Sequence, residues 1–132
     1  MRKSLLFIIS VFCLMSLCAS NPQSEISFQS QVCKLGKFSE ADPVRTCTFQ
    51  FKNVGNAPLI INQAIASCGC TVPRFTAAPV QPGDSGRIEV TYDGSGRYVG
   101  PFTKIITVHS NAKTKIVRLY IEGEMTAQKK NK

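Results

Sequence analysis

From Glu25 onward, apolar and polar residues alternate with a period of two, and short clusters of Gly, Pro, Asn and Asp interrupt the alternation. Successive side chains of an extended strand point to opposite faces, so each alternating run predicts a strand with one buried face. Ile26, Phe28, Ser30 and Val32 share one face of a first run, and Gly36 to Pro43 is read as a loop. Cys47, Phe49 and Phe51 alternate with Thr46, Thr48 and Gln50 in a second run, and Pro58 to Ile65 is a third, rich in isoleucine. Ile88, Val90 and Tyr92 alternate with Arg87, Glu89 and Thr91. Phe102 to Val108 and Ile116 to Gly123 complete the set, the last with Val117, Leu119 and Ile121 on one face. Between runs, "NVGNAP" (53–58) is turn chemistry because Gly and Asn tolerate positive φ, and "PVQPGDSG" (79–86) is a long turn. Pro73 is expected to stop any ladder near "SCGCTVP". "DGSGRYVGP" (93–101) reads as a hairpin connection. About seven short strands with turns every eight to twelve residues or so, and no helical period, predict an all-β fold, an immunoglobulin-like antiparallel β-sandwich.

The first residues follow a different pattern. Arg2 and Lys3 precede an apolar run from Leu5 to Leu17 that is short for a bilayer span, and small and polar residues follow at once. This is the layout of an export signal over 1–20. Cleavage after Ser20 leaves Cys18 and Ser20 at the two positions a signal peptidase inspects, and cleavage after Ala19 is the close alternative. Cys18 also opens a lipoprotein reading, and with it a membrane attachment, although Leu17 stands where such a signal wants a small residue. Removing 20 of the 132 residues leaves about 112, enough for one domain over 21–126 and a basic tail over 127–132.

Export changes what charge and cysteine mean. Without Arg2 and Lys3 the 16 basic side chains fall to 14 against 8 acidic ones, and Lys129, Lys130 and Lys132 of the tail supply half of the resulting excess. The domain itself is only weakly basic and has no cluster of Arg and aromatic residues, which argues against nucleic acid as a partner. In an oxidising compartment thiols pair, and Cys33, Cys47, Cys68 and Cys70 survive processing, leaving three pairings open.

Catalytic constellations are not evident. His109, the only histidine, has the parity of Thr103 and Thr107 and is expected to face solvent. No Ser, His and Asp set can be argued from spacing, and Glu122 and Glu124 sit together without a separate partner group. "GSGRYVG" (94–100) has one residue too many for a dinucleotide fingerprint and precedes a strand rather than a helix. The sequence is therefore read as non-enzymatic, with no cofactor.

The strings "FQFKNVGNAPLIINQAIASCGCTVP", "PVQPGDSGRIEVTYD", "GPFTKIITVHSNA" and "LYIEGEM" follow one another along the chain. This order resembles the bacterial domain of unknown function 1573 family, common in secreted proteins of Bacteroidetes-type bacteria and related to the immunoglobulin-like sandwiches of the major sperm protein and Hydin type. The resemblance covers about residues 25–125 and implies a fold and an envelope location, periplasmic or at the cell surface. It implies no established activity. Cys33 and Cys47 look like an addition to the family pattern. Cys47 shares the inward face of Phe49 and Phe51, and Cys33 the parity of Leu35, so a bulge after Phe28 would turn both inward and permit a disulfide. Two free buried thiols are the alternative.

Cys68 and Cys70 are then left to each other. On an extended strand their Cα atoms would be about 6.5–7 Å apart, at the limit of a disulfide, so a bend at Gly69 is required. A bond bent in this way is easier to reduce. Reduced, two thiolates on one face could hold a soft ion such as Cu(I), whereas zinc would need two further ligands. The expectation is an exported binding or structural module whose candidate surface is Ser67, Cys68, Gly69, Cys70 and Thr71, with an envelope protein or glycan as partner. Such a module binds through loops at one end or by an exposed edge strand. The alternative is a periplasmic thiol-redox or Cu(I)-handling pair at Cys68 and Cys70. For a glycan, only Tyr92, Tyr98 and Tyr120 could offer rings outside the core.

Overall fold

A computed structural model describes residues 20–130; the leader up to Ala19, with Cys18, and the last two residues of the tail lie outside the described residues. Among the described residues eight strands follow in order: β1 (Ile26–Phe28), β2 (Val32–Ser39), β3 (Val44–Asn53), β4 (Ile61–Ala66), β5 (Thr71–Phe75), β6 (Ser85–Asp93), β7 (Gly100–Ser110) and β8 (Ile116–Thr126). They form two four-stranded sheets, ordered β1-β3-β6-β5 and β2-β8-β7-β4, packed as a sandwich. No helix among the described residues is long and apolar enough to cross a membrane.

The inward faces are those marked by the alternation. Cys47, Phe49 and Phe51 of β3 and Ile88 and Val90 of β6 are buried against Ile106 and Val108 of β7 and Leu119 and Ile121 of β8. Each large side chain buried in this way stabilises the fold by roughly 1.5–3 kcal/mol relative to leaving it in water. A second cluster fills one end of the sandwich: Phe38, Cys70, Tyr92 and Met125, with Leu35, Cys68 and Phe102 packed against it.

The first apolar run is two strands rather than one, and Thr71–Phe75 is another, which brings the count to eight. After β1 the chain turns at Ser30, whose Oγ accepts the Val32 N–H at 3.2 Å, and then crosses to the other sheet as β2. Ile26 is buried while Val32 is 40 % exposed, so the two do not share an inward face. β2 runs parallel to β8, which makes that sheet mixed rather than antiparallel. Gly36 to Ser39 belongs to β2, and only Glu40–Pro43 is a loop. The register with β8 shifts between Lys34 and Gly36, where Gly36 adopts a φ of 72°, and Phe38 is thereby returned to the interior. That bulge, not one after Phe28, is the irregularity of this segment.

Pro73 lies within a ladder instead of ending one. β5 is an edge strand paired only with β6. The bonds from Asp93 N–H to Cys70 C=O and from Thr76 N–H to Arg87 C=O place Thr71, Pro73 and Phe75 where a residue's own N–H points away from β6. A proline there removes no ladder bond. "DGSGRYVGP" is likewise no hairpin, because it carries the chain from β6 in one sheet to β7 in the other. Gly55 has no positive φ; it is glycine because a Cβ would strike the backbone of Gln23 and Glu25.

The two ends of the sandwich differ in how their connections are held. At one end Asn53 and Asn111 stitch distant segments together: Asn111 Oδ1 accepts the Ile60 N–H at 2.8 Å and the Ser24 hydroxyl at 3.0 Å, and its Nδ2 donates to the Pro58 C=O at 3.0 Å. At the other end the loops 40–43, 67–70 and 94–99 come together over the second cluster.

Candidate functional site

The segment Ser67–Thr71 links β4 to β5, and so crosses between sheets at that second end. Ser67 anchors it to β7, donating its N–H to the Ile105 C=O at 2.8 Å and accepting the Ile105 N–H on Oγ at 3.1 Å. Cys68 to Thr71 forms a turn closed by the Thr71 N–H on the Cys68 C=O at 3.2 Å, and the Asp93 N–H holds the Cys70 C=O at 2.8 Å. Within the turn Cys68 and Cys70 are joined by a disulfide with their Cα atoms 5.3 Å apart, shorter than the extended-strand spacing. Cys70 N–H also donates to Cys68 Sγ at 3.1 Å.

Exposure divides the five candidate residues. Ser67 and Gly69 are exposed and Cys68 is half-buried, whereas Cys70 and Thr71 are buried. Cys70 rests on an aromatic floor in which Tyr92 stacks on Phe102 at 4.3 Å between ring centres and Phe38 meets both rings edge-on. The Arg45 guanidinium lies 4.6 Å from the centre of the Phe38 ring and pairs with Asp42 at 3.1 Å. Burial pushes the Tyr92 phenol above its ordinary pKa. Of the three tyrosines, Tyr92 is therefore core and offers no ring to a ligand, while Tyr98 is fully exposed and Tyr120 half-buried.

The loop 94–99 is a neighbour that sequence patterning did not connect with Ser67–Thr71. Ser95 N–H donates to Asp93 Oδ1 at 2.9 Å, Arg97 N–H closes a turn on the Gly94 C=O at 3.0 Å, and Gly94 N–H bonds the Pro43 C=O at 3.0 Å. Ser95, through its side-chain hydroxyl first and its N–H second, holds the Asp93 carboxyl below its usual range. The turn presents Tyr98 and, beside it, Val99 at 47 % exposure. A signal was available: Tyr98 falls outside any alternating run, between Gly96 and Gly100, whereas Tyr92 continues the parity of Ile88 and Val90.

The second disulfide joins Cys33 of β2 to Cys47 of β3, Cα atoms 6.6 Å apart, and so ties one sheet to the other through the core. Across 14 residues such a bond restrains the unfolded chain by about 3 kcal/mol, whereas a link two residues apart gives only about half of that. Chain restraint alone therefore accounts less well for Cys68 and Cys70.

Elsewhere the chemistry is sparse. His109 lies half-buried on the outer face of β7, and Glu124 beside Glu122 pairs with Lys37 at 3.4 Å. Among the described residues no group of three or more His, Cys, Asp or Glu is placed to hold a metal. Shallow grooves of about 270–440 Å³ along the β1-β3-β6-β5 sheet are lined mainly by Gln50, Thr76, Ser85 and Arg87, without a histidine or a pair of carboxylates. Every sheet edge also carries a feature that discourages strand addition: β1 is three residues long, β2 has its bulge and Lys34 and Lys37, β4 shifts register between Ile61 and Gln63, and β5 has Pro73.

A family model described as "Protein of unknown function (DUF1573)" matches residues 26–125. The chain belongs to this family. No curated protein matches this DUF1573 chain. Among solved structures it is similar to a protein of unknown function from Porphyromonas gingivalis W83, with a TM-score of 0.66 and 16 % identity over 80 % of this chain and 49 % of that one. It is also similar to PapD-like domain 7 of human CEP192, at 0.65 and 7 % over 83 % and 91 %, and to the YadV chaperone, at 0.55 and 16 % over 81 % and 55 %. The chain spans about half the length of the P. gingivalis protein. At these identities the likeness establishes an immunoglobulin-like, PapD-like sandwich.

Proposed function

We propose that this DUF1573 chain is an exported, non-catalytic binding module of the bacterial envelope that engages a partner through the loop cluster at the Cys68–Cys70 end. The observation that carries this reading is the meeting of loops 40–43, 67–70 and 94–99 over a packed aromatic floor, with Tyr98 fully exposed at the surface. Exposed aromatic side chains on a rigid base supply much of the binding energy of protein interfaces. Ser67, Gly69, Tyr98 and Val99 form the contact surface, and the buried Cys70 and Thr71 shape it from beneath. Two disulfides suit an oxidising compartment outside the cytoplasm. With Tyr92 withdrawn into the core, the rings left to a glycan are few, and an envelope protein is the favoured partner.

A photo-crosslinking amino acid placed at Tyr98, and in a separate variant at Thr114 of the exposed β7–β8 turn, tests the proposal in intact cells. The expected result is a discrete higher-mass adduct from position 98 and none from position 114. Adducts from position 114 alone, or from neither, would remove the loop cluster as the docking surface.

A further inference from the structure

The geometry points to Cys68 and Cys70 as a reversible dithiol–disulfide couple, in which Cys68 exchanges with an incoming thiol and Cys70 leaves, and in which the bond recloses when the same exchange runs in reverse from a partner disulfide, which is thereby reduced. Three observations assign these roles. Cys68 is half-buried and borders the exposed Gly69, where a side chain would meet nothing within 4 Å, so a thiolate can approach its sulfur. Cys70 is only 6 % exposed and packs among Phe38, Tyr92 and Met125, out of reach of an attacking group. Each sulfur also has a donor at hand: the Cys70 N–H lies 3.1 Å from Cys68 Sγ, and the Thr71 hydroxyl lies 3.6 Å from Cys70 Sγ. A donor directed at sulfur favours its thiolate, the form that leaves and attacks.

The exchange balances as follows in atoms and electrons. One thiolate of a partner dithiol attacks Cys68 Sγ; the Cys68–Cys70 bond breaks, a mixed disulfide forms at Cys68, and Cys70 departs as a thiolate that takes a proton from water. The partner's second thiolate attacks its own sulfur in the mixed disulfide, closes the partner's disulfide and releases Cys68, which is protonated in turn. Two electrons pass from the partner dithiol to the couple, so the bridged protein is the oxidant. The Cys33–Cys47 bond is an internal control, because it closes a 14-residue separation across both sheets and is not part of the turn.

The protein, kept native, is equilibrated with increasing dithiothreitol, quenched with acid, alkylated and mapped by peptide mass. The expected result is alkylation of Cys68 and Cys70 while Cys33 and Cys47 remain bridged. No alkylation of the pair short of unfolding, or all four cysteines opening together, would overturn the proposal. The roles are read from Cys70→Ser and Cys68→Ser, whose remaining thiol is reacted with dipyridyl disulfide: Cys68 is expected to react at least tenfold faster than Cys70. Equal or reversed rates overturn the assignment. Should either variant fail to fold, the wild-type protein with excess glutathione gives the same information, since the trapped adduct is expected on Cys68 and one on Cys70 would contradict it. These readouts need no docking partner, so they stand or fall separately from the binding surface at Tyr98.

Discussion

Replacing Asn53 with alanine is expected to destabilise the protein by roughly 3–4 kcal/mol, a larger effect than its position beside a surface turn suggests. Asn53 closes β3, is 0 % exposed, and makes every bond an amide side chain can make to four separate backbone groups. Its Nδ2 donates to the Ala57 C=O at 2.7 Å and the Val80 C=O at 2.9 Å, and its Oδ1 accepts the Gly55 N–H at 2.9 Å and the Glu25 N–H at 3.4 Å. Val80 C=O keeps a second donor in Leu59 N–H, but Ala57 C=O, Gly55 N–H and Glu25 N–H lose their partner. Each such group left unpaired costs about 1–3 kcal/mol, to which the vacated volume adds. Urea unfolding should show the loss as a lower midpoint at unchanged slope; a change below about 1 kcal/mol would show that water replaces the amide. Asn53→Asp gives a sharper test. Its second oxygen would face two carbonyls, which raises the folded-state pKa above the unfolded value of about 3.9. The folded state then holds the proton more tightly, so the variant should regain stability as pH falls through that raised pKa and lose it as pH rises.

Asn53 also marks where sequence stops being informative. In "NVGNAP" it is one of two asparagines in a turn-rich string, and what buries it is the meeting of residues near 25, 57 and 80, a juxtaposition that no local pattern encodes. The inward faces of β3, β6 and β8 were legible because alternation is a local property of an extended chain, and Phe49, Val90 and Leu119 take their facing from it. β2 was not, because one bulge at Gly36 reverses parity and makes Phe38 look like loop. Pro73 misled for the complementary reason: whether a proline breaks a strand depends on having a neighbour on its N–H side, which is a fact of sheet order. At the site, "SCGCT" placed the two close cysteines at a bend, since two residues of separation fix the geometry. The companion loop with Tyr98 arrives only through bonds such as that from Gly94 to Pro43, between residues about fifty apart in sequence.

Removing the Cys33–Cys47 bond by the double substitution Cys33→Ala and Cys47→Ala is expected to cost about 3 kcal/mol from loop closure alone. A further contribution comes from the volume lost at Cys47, which is 5 % exposed among Phe49, Val90 and Ile121. The topology gives the bond a second role. β2 reaches its sheet after crossing from β1, and it is an edge strand held there by β8 alone. The disulfide fixes that crossing by tying β2 to β3, the strand that pairs with β1 in the opposite sheet. Its loss should therefore expand the unfolded chain and loosen β2 in the folded one. The first effect is read as an increased urea slope, since a chain without the cross-link exposes more surface on unfolding. The second is read by amide exchange, with protection falling in Val32–Ser39 before it falls in β3 or β6. The double substitution Cys68→Ala and Cys70→Ala should leave the slope almost unchanged and lower stability by about half as much, because a loop of three residues restrains little. If the two pairs proved equivalent in slope and stability, Cys33–Cys47 could not be the bond that holds the sheets in register, and the distinction between a structural bridge and an exchangeable one would fail with it.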